Sequence, residues 1–338
     1  MIDGLVSEDV KDVIEEFRPD FFEGKRTLVT GGAGFLGSYL CDVILMLGSE
    51  VTCLDNFSTG KMENVEHIIG KANFRLINSD ILSFETRGLY DYIFSFAARP
   101  SPEDYQRHPI ETLCTNSHGT FKILELARKC RARIIFASTS EVYGDPNVFP
   151  TPEDYWGNVN PIGMRSCYDE GKRFGEALSI AYHRQYGVDS RIVRIFNTYG
   201  PRIRADGAYA RALPRFILQA LNNEDISVYG DGSQTRSFCY VTDTLRGILS
   251  AFSADVAEGE VFNIGNPEEV TILELAEKIR NTARSNSKIR FCPLPPDDPK
   301  RRRPDITKAK KILNWSPRVS LTEGLNKTIK WFILKHVC

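Results

Sequence analysis

Tyr168 and Lys172 are the residues of this sequence whose types and spacing suggest chemistry most directly. They stand four positions apart in Ser166–Tyr186, a stretch whose pattern predicts a helix, so both side chains are expected on one helical face. A free tyrosine has a pKa of about 10 and is a poor base at neutral pH. A neighbouring ammonium group and a positively charged nicotinamide ring would both favour the phenolate and lower that pKa. The pair is therefore predicted to exchange a proton with a substrate hydroxyl.

A second candidate element, Ser138-Thr139-Ser140-Glu141, follows the apolar segment 134–137, which is predicted to be a buried strand. Ligands of open α/β sheets collect where the strands end, so this element is expected near the tyrosine–lysine pair. Thr139 is predicted to hydrogen-bond the reacting hydroxyl, and Glu141 to act as an acid or base or to hold a water molecule. The structural alternative is that Thr139 caps a turn and Glu141 is a surface carboxylate.

A glycine-rich turn lies between the apolar segment Arg26–Thr30 and the helical pattern at 35–47. Three of its glycines follow the spacing G-x-x-G-x-x-G, and glycine permits both a tight turn and a close approach of the backbone to a diphosphate. The helix N-terminus that follows presents free N–H groups and a partial positive charge to phosphate oxygens. This strand–turn–helix context predicts a dinucleotide site. The residues expected in it are Gly31, Gly34, Phe35, Leu36 and Gly37.

Asp55 ends the next apolar segment, 51–54, and lies 18 residues after Gly37. An acidic residue here accepts hydrogen bonds from both adenosine ribose hydroxyls and repels a 2′-phosphate, so the cofactor is predicted to be NAD rather than NADP. The alternative is that Asp55 only caps a loop with Asn56, and Asp80 is by position either an adenine contact or a turn residue. The NAD contacts predicted outside the glycine turn are Asp55, Asn56, Asp80, Ile81, Ala97, Ala98, Tyr168 and Lys172.

The composition is that of an ordinary globular chain: 338 residues, 42% hydrophobic and 26% charged. A net charge of −1 gives no global field for nucleic acid, so local groups must hold an anionic ligand. We expect neither a membrane span nor a signal peptide, because long apolar runs are absent from the sequence. The eight cysteines lack C-x-x-C and zinc-ligand spacing, so we expect free thiols in a cytoplasmic protein and no metal. Cys167, beside Tyr168, is expected to fill space.

Six short apolar segments alternate with helical patterns over the first 196 residues, an order typical of a parallel sheet with helices on both faces. Right-handed crossovers then give an α/β fold with a doubly wound parallel sheet of the Rossmann type. Beyond residue 197 strands become rarer, which predicts a smaller mixed C-terminal domain over the carboxyl edge of the sheet. We therefore expect a helical extension over 1–24, an NAD-binding domain over 25–196 and a substrate-binding domain over 197–338.

Several stretches of the sequence resemble one enzyme family. The glycine turn, residues 138–144 and the Tyr168-x-x-x-Lys172 pair are similar to those of the extended short-chain dehydrogenase/reductases that act on nucleotide sugars. Within that family the chain most resembles the UDP-glucuronic acid decarboxylases, or UDP-xylose synthases. Residues 155–173, 195–202 and 232–238 carry this closer resemblance, which runs from about Arg26 to Trp331.

The resemblance implies a UDP-sugar substrate and a set of residues that bind it. Asn197 would contact the nucleotide sugar, Arg236 would pair with the UDP diphosphate, and Tyr229 would lie in the uracil pocket. Arg303 and Asp305 would close over the nucleotide, because arginine suits bidentate phosphate contacts. The alternative for Arg303, which belongs to the basic run 300–303, is a solvated loop.

The resemblance also implies a mechanism. Tyr168 would take the proton of the sugar C4 hydroxyl while hydride passes to NAD. The resulting 4-keto uronate would lose carbon dioxide, because the electrons delocalise onto a ketone oxygen that Tyr168 and Thr139 can stabilise. Protonation at C5 and return of the hydride would give UDP-xylose, so NAD would act as a bound catalyst.

Two segments depart from the decarboxylase pattern. Asp206-Gly207 is followed by Ala208-Tyr209-Ala210-Arg211 where the family usually has Asp-Gly-Arg, and the loop after the fourth strand carries Arg99. A carboxylate held firmly by arginine would resist decarboxylation, since stabilising the ground state raises the barrier. Arg99 and Arg211 are therefore predicted substrate contacts that favour the alternative of a UDP-glucuronate 4-epimerase.

Two further alternatives remain at the level of sequence. A non-catalytic NAD-binding scaffold would need none of Thr139, Tyr168 and Lys172. A dTDP-sugar 4,6-dehydratase usually carries Asp-Glu after the threonine, where this chain has Ser140-Glu141. The helical stretches 110–129 and Ser166–Tyr186 resemble the pair that forms the family's four-helix dimer interface, so we expect a homodimer.

Overall fold

The computed structural model describes residues 4–85, 88–206, 211–294 and 301–336. Three parts of the predictions lie outside these ranges: residues 207–210 of the segment that departs from the decarboxylase pattern, Lys300 of the basic run, and residues 1–3 of the predicted helical extension. The strands are β1 Arg26–Thr30, β2 Glu50–Asp55, β3 Phe74–Asn78, β4 Tyr92–Ser95, β5 Arg133–Thr139, β6 Ser190–Ile195, β7 Thr198–Tyr199, β8 Ile226–Tyr229, β9 Thr235–Ser237, β10 Cys239–Tyr240, β11 Val261–Ile264, β12 Glu269–Thr271, β13 Ile289–Cys292 and β14 Arg301–Arg302. The α-helices are α1 Gly4–Ile14, α2 Phe35–Met46, α3 Pro102–Arg107, α4 Pro109–Cys114, α5 Thr120–Cys130, α6 Ser166–Tyr186, α7 Ala212–Leu221, α8 Val241–Ser253, α9 Ile272–Thr282, α10 Thr307–Leu313 and α11 Leu321–His336.

Seven parallel strands form the central sheet in the order β11-β6-β5-β4-β1-β2-β3. The chain begins in the middle at β1, builds outward to β3, and then returns to build the other half from β4. Helices cover both faces, which explains why the inner strands are almost continuously apolar and buried. This is the doubly wound sheet that the alternating sequence pattern predicts, and its switch point lies between β1 and β4.

The seventh strand, β11, comes from the C-terminal part of the chain. It extends the sheet by pairing in parallel with β6, from Val261 beside Ile192 to Ile264 beside Ile195. The sheet thus takes one strand from beyond the predicted boundary at residue 196. The other C-terminal strands form small sheets: β10 with β7, β13 with β8, and a three-stranded sheet in the order β12-β9-β14.

The helical layer beside β5 is formed by α6 and by the continuous helical segment 109–130, which precedes it in the chain. Helices α4 and α5 are joined by a π-helical turn, Thr115–Gly119, so the helix predicted at 110–129 runs without a break. Helix α6 ends at Gly187, which adopts the left-handed conformation that terminates many helices. Among the described helices, none has the length and apolar character needed to cross a membrane.

Helix α1, near the N-terminus, contacts α2, β10 and the C-terminal helix α11. Its apolar face is buried through Leu5, Val6, Val10 and Val13. Asp9 on the same helix is 1% exposed, and it accepts hydrogen bonds from Tyr39 of α2 at 3.3 Å and from Tyr240 at 2.8 Å. Lys327 of α11 approaches its other oxygen at 3.4 Å. Burial raises the pKa of Asp9, and these donors offset part of that cost.

Replacing Asp9 by Ala is expected to lower the free energy of unfolding by about 2 kcal/mol, because buried tyrosine hydroxyls and Lys327 lose their acceptor. Urea denaturation followed by circular dichroism measures the change. Glu8→Ala removes an exposed acidic residue from the same helix and is the matched control. Equal stability of the two variants would contradict the bridging role of Asp9.

Candidate active site

A cleft of about 670 Å³ opens at the carboxyl ends of the central strands. It is lined both by the loops of the sheet and by the C-terminal elements, so the predicted cofactor site and the predicted substrate site share one cleft. Every predicted site residue except Arg303 and Asp305 lines it: Gly31, Gly34, Phe35, Leu36, Gly37, Asp55, Asn56, Asp80, Ile81, Ala97, Ala98, Arg99, Thr139, Glu141, Tyr168, Lys172, Asn197, Arg211, Tyr229 and Arg236.

The glycine turn has the geometry of a phosphate cradle. Gly31 adopts a positive φ of 69°, and a Cβ there would lie 2.8 Å from the carbonyl oxygen of Phe96. A Cβ on Gly37 would collide with the carbonyl oxygen of Gly31, so a side chain at either position would displace the turn. Helix α2 begins just after this turn, and no side chain caps its N-terminus. Its first N–H groups are thus directed at the cleft, where a dinucleotide diphosphate would receive them.

Asp55 both stabilises this turn and faces the cleft. Its carboxylate accepts hydrogen bonds from the backbone of Ala33 at 2.9 Å and of Phe57 at 2.8 Å, and burial raises its pKa. The predicted loop-capping role is therefore present, and the position also suits a ribose diol. Nearby, Asn56 donates to Asp80 at 2.6 Å, which fixes the next wall of the same pocket. The donors, the glycine cradle and the acidic residue together fit NAD.

The predicted pair on α6 is buried at the end of β5. Lys172 is 2% exposed, and its Nζ donates to the carbonyl oxygen of Ala137 at 2.7 Å. Tyr168 is hydrogen-bonded to the side chain of Thr139. The ring of Tyr105 stacks on Tyr168 with centroids 5.1 Å apart, which fixes the plane of the phenol. The structure thus brings the three predicted catalytic groups together.

Burial shifts the pKa values of both groups of this pair. Burial raises the pKa of Tyr168 to about 12, although Arg211 and the hydrogen bond from Thr139 lower it in part. Burial also lowers the pKa of Lys172 to about 7, against the opposing charge of Glu176. Desolvation thus favours the neutral forms of both groups in the protein alone. The lowering of the tyrosine pKa by the ammonium and the nicotinamide ring together stays a prediction, because in the protein alone the burial that brings the groups together penalises their charges.

Thr139 has the capping role that the sequence left open, and its place beside Tyr168 suits the predicted substrate contact. Its Oγ1 accepts a hydrogen bond from the backbone of Glu141 at 3.3 Å and so caps the short 3-10 turn Ser140–Tyr143. The same side chain reaches Tyr168. A residue that caps a turn and hydrogen-bonds the phenol holds one fixed position, which is what orienting a substrate hydroxyl requires.

Glu141 is held by two arginines that the sequence analysis did not assign to it. Arg165 forms a close ion pair with its Oε2, and Arg302 lies 3.1 Å from the same oxygen. Burial on its own would raise the pKa of Glu141, but Arg302 and Arg165 outweigh this effect and hold the pKa well below its usual range. Glu141 is therefore an ionised anchor for these arginines. The prediction that it acts as an acid or base is not supported by this arrangement, since a carboxylate so held is a poor proton carrier.

Arg302, rather than the predicted Arg303, lies in the cleft. Arg302 is 2% exposed and lines the cleft, whereas the guanidinium of Arg303 is 3.8 Å from Glu269 outside the cleft lining. The difference follows from strand geometry: β14 pairs with β9, with Arg302 opposite Arg236, and side chains alternate along a strand. A period-two pattern cannot be recognised in a run of identical residues, so Arg302 and Arg303 are indistinguishable at the level of sequence.

The remaining predicted substrate contacts are already engaged. Arg99 pairs with Asp104 at 3.0 Å, and Arg211 donates to the carbonyl oxygen of Pro100 at 2.7 Å. Asn197 donates to the carbonyl oxygen of Ser237 at 3.4 Å, and Arg236 donates to that of Thr235 at 2.9 Å. These contacts fix the side chains before any ligand arrives.

Cys167 is buried and its thiol lies 3.5 Å from the carbonyl oxygen of Tyr105. Burial raises the pKa of this thiol, which keeps it protonated and unreactive. No group of three His, Cys, Asp or Glu side chains within the described ranges could hold a metal ion.

Comparison with known proteins gives concordant results. The model of the NAD dependent epimerase/dehydratase family matches residues 27–265. The chain is similar to UDP-glucuronic acid decarboxylase 1 of Danio rerio, with 53% identity over 311 residues, 91% of this chain and 72% of that protein. It is similar to UDP-glucuronic acid decarboxylase 2 of Arabidopsis thaliana, with 48% identity over 92% of this chain and 68% of that protein. Among solved structures it resembles the UDP-glucuronic acid 4-epimerase of Bacillus cereus in complex with UDP-glucuronic acid and NAD (TM-score 0.83, 31% identity, 93% of this chain and 100% of that chain).

Lys172→Met is expected to flatten the pH dependence of stability above neutrality. Lys172 has a pKa of about 7 in the folded chain and 10.5 as its ordinary value, so between these pH values only the unfolded state binds its proton. This residue therefore makes the free energy of unfolding rise with pH, by at most about 1.4 kcal/mol per pH unit.

Urea denaturation of wild type and K172M at pH 7 and pH 9 measures this contribution. Lys330→Met, which removes an exposed lysine of α11, is the control. Identical pH slopes in K172M and wild type would show that Lys172 keeps its proton on folding.

Proposed function

The chain belongs to the NAD dependent epimerase/dehydratase family, and we propose that it is the member that converts UDP-glucuronate to UDP-xylose by NAD-dependent decarboxylation. The observation that carries this proposal is the identity of about half of all residues with UDP-glucuronic acid decarboxylases across nine-tenths of the chain, 53% over 311 residues in the first case. The UDP-glucuronic acid 4-epimerase is 31% identical. The cleft contains the catalytic groups that such a reaction needs.

Tyr168 and Thr139 perform the proton chemistry of the oxidation. The phenol is buried beside Thr139, where it can take the proton of the sugar C4 hydroxyl and later return it. NAD, when bound, would supply a reversible hydride acceptor and a positive charge to this part of the cleft. Such a charge would offset the desolvation that raises the tyrosine pKa in the protein alone.

Loss of carbon dioxide requires that the uronate carboxylate is not held too tightly. Once C4 is a ketone, the carboxylate at C6 is β to it, and the electrons of the breaking bond move onto the ketone oxygen beside Tyr168 and Thr139. Arg99 and Arg211 together carried the sequence argument for an epimerase that retains the carboxylate. In the structure Asp104 pairs with Arg99 at 3.0 Å, so this arginine contributes little net charge to hold a second carboxylate. This pairing weakens one of the two grounds for epimerisation, whereas Arg211 pairs with no carboxylate that the structure describes.

Incubation with UDP-glucuronate is expected to release carbon dioxide and form UDP-xylose, with no net change in NAD. Gas analysis and chromatography of the nucleotide sugars measure both products. Formation of UDP-galacturonate without carbon dioxide would instead establish the 4-epimerase.

Tyr168→Phe is expected to keep NAD but lose at least about 100-fold in kcat, because the phenol's proton transfer is removed. Undiminished activity of this variant would remove Tyr168 from the mechanism.

We also propose that the protein is a homodimer through the outer face of α4, α5 and α6. Large apolar side chains lie exposed there, including Ile110, Leu113, Phe121 and Phe174. An apolar face of this extent on adjacent helices is typical of a helix-to-helix interface. The proposal is supported by the resemblance of this helix pair to the family's dimer-forming helices.

The double variant Phe121→Glu/Phe174→Glu is expected to be monomeric, since two buried charges per subunit would oppose association. Light scattering measures the mass in solution, and Leu89→Glu, at an exposed apolar residue outside these helices, is the control. A wild-type monomer, or a double variant that stays dimeric, would contradict the proposed interface.

We propose the cytoplasm as the location of the chain. The proposal is supported by the scattered cysteines, of which the seven in the described ranges are all free. Free thiols in this number are typical of a reducing compartment. Fractionation of cells that produce the tagged protein tests it, and recovery with secreted or lumenal material would contradict it.

A further inference from the structure

Five of the arginines that line the cleft fall into two groups. In the first, each guanidinium forms an ion pair with a carboxylate: Arg99 with Asp104, and both Arg165 and Arg302 with Glu141. In the second, Arg211 and Arg215 pair with no carboxylate of the described residues. Sequence analysis assigned no role to Arg215, although it lines the cleft beside Tyr229.

Arg215 lies in the first turns of α7 and is held by β8. Its guanidinium stacks over the ring of Tyr229, 4.5 Å from the centroid. Its Nη1 donates to the Tyr229 hydroxyl and its Nη2 to the carbonyl oxygen of Ser227, both at 3.4 Å. Its Nε is buried without a hydrogen-bond partner in the described chain. Two long hydrogen bonds thus occupy at most two of the five N–H donors of a guanidinium.

Such an arrangement is costly unless an anion completes it. Arginine keeps its charge at any pH at which the protein is folded, so it cannot escape desolvation by losing a proton. A partly buried, uncompensated charge is stabilised by an opposite charge within hydrogen-bond reach. Arg211 precedes it by four residues, one helical turn away, and adds to the same part of the cleft a second guanidinium that pairs with no carboxylate within the described ranges.

We propose that Arg215 is a specificity-determining residue that binds the diphosphate of the nucleotide sugar. The stacked Tyr229 ring holds the guanidinium plane, and the unoccupied donors receive phosphate oxygens in the two-pronged geometry that arginine favours. The diphosphate is the strongest anion of a UDP-sugar, whereas uracil carries no charge. The proposal rests on the proposed function only in that the ligand is a UDP-linked sugar.

The position of Arg215 also limits how Tyr229 can act. Because the guanidinium covers one face of the ring, a nucleobase can stack only on the other face. If Arg215 served the base instead of the diphosphate, its removal would weaken the binding of uridine as much as that of UDP. The two roles are therefore separable by ligand.

Isothermal titration of the NAD-loaded enzyme with UDP and with uridine tests the proposal. Arg215→Met removes the charge and keeps an unbranched side chain, and Arg215→Gln removes the charge but keeps a polar group that can donate hydrogen bonds. Either variant is expected to weaken UDP binding on the order of 10- to 100-fold and to leave uridine binding unchanged. Arg290→Met is the matched control, because Arg290 is exposed on β13 directly opposite Ser227 of β8.

Unchanged UDP affinity in a folded Arg215 variant would overturn the proposal, as would parallel losses for UDP and uridine. Circular dichroism and NAD affinity identify which variants are folded, and one folded variant suffices. UDP binding is measured without turnover. A wild-type enzyme that binds UDP but releases no carbon dioxide from UDP-glucuronate would refute the proposed function and leave this test intact.

Discussion

Burial of the Lys172 ammonium group is the constraint on which the catalytic end of the fold depends. Taking this group out of water is unfavourable unless the protein supplies acceptors. The carbonyl oxygen of Ala137, at the end of β5, is one, and Glu176 supplies an opposite charge one helical turn further along α6. Glu176 is itself held by Arg194 at 2.7 Å and by Ser138 at 2.5 Å. These bonds hold α6 against β5. Because Tyr168 lies on α6 and Thr139 ends β5, the same bonds set the position of the phenol relative to Thr139.

The cleft contains this buried pair and also several arginines, only some of which form ion pairs with carboxylates. Around Glu141 and Asp104 each arginine pairs with a carboxylate, whereas Arg211 and Arg215 pair with none in the part of the chain that the structure describes. Binding energy from a remote, unreactive group lowers the barrier only if the reacting group is left free to change. If the diphosphate binds Arg215 as proposed, the substrate is anchored at its unreactive end, and the pairing of Arg99 with Asp104 leaves the uronate carboxylate less firmly held.

Sequence reasoning predicted the local features of this protein and missed those that depend on distant contacts. The glycine turn, Asp55 and the Tyr168/Lys172 pair could be recognised because each is defined by spacing within a few residues, and the alternation of strands and helices defined the sheet. The pairing of β11 with β6 could not, since a four-residue strand far along the chain carries no signal of its partner. The ion pair of Glu141 with Arg302 spans 161 positions. The shifted pKa values of the catalytic pair were missed for a further reason: desolvation is a property of the whole surroundings, and spacing on one helix does not reveal it.

A hydride that leaves C4 and later returns requires the sugar and the nicotinamide to stay in register through several steps. The fold meets this requirement by connecting the two binding regions directly. Arg202, five residues after Asn197, is buried and forms an ion pair at 2.7 Å with Asp42 of α2, the helix that begins at the glycine turn. His67 contacts the other oxygen of Asp42 at 2.7 Å. Arg202 also adopts a positive φ of 67°, a conformation that side chains other than glycine rarely take and that costs on the order of 1 kcal/mol. The buried ion pair compensates for that cost, and in return the segment carrying Asn197 is fixed to the cofactor helix, so that the sugar and the cofactor are positioned by one continuous set of contacts.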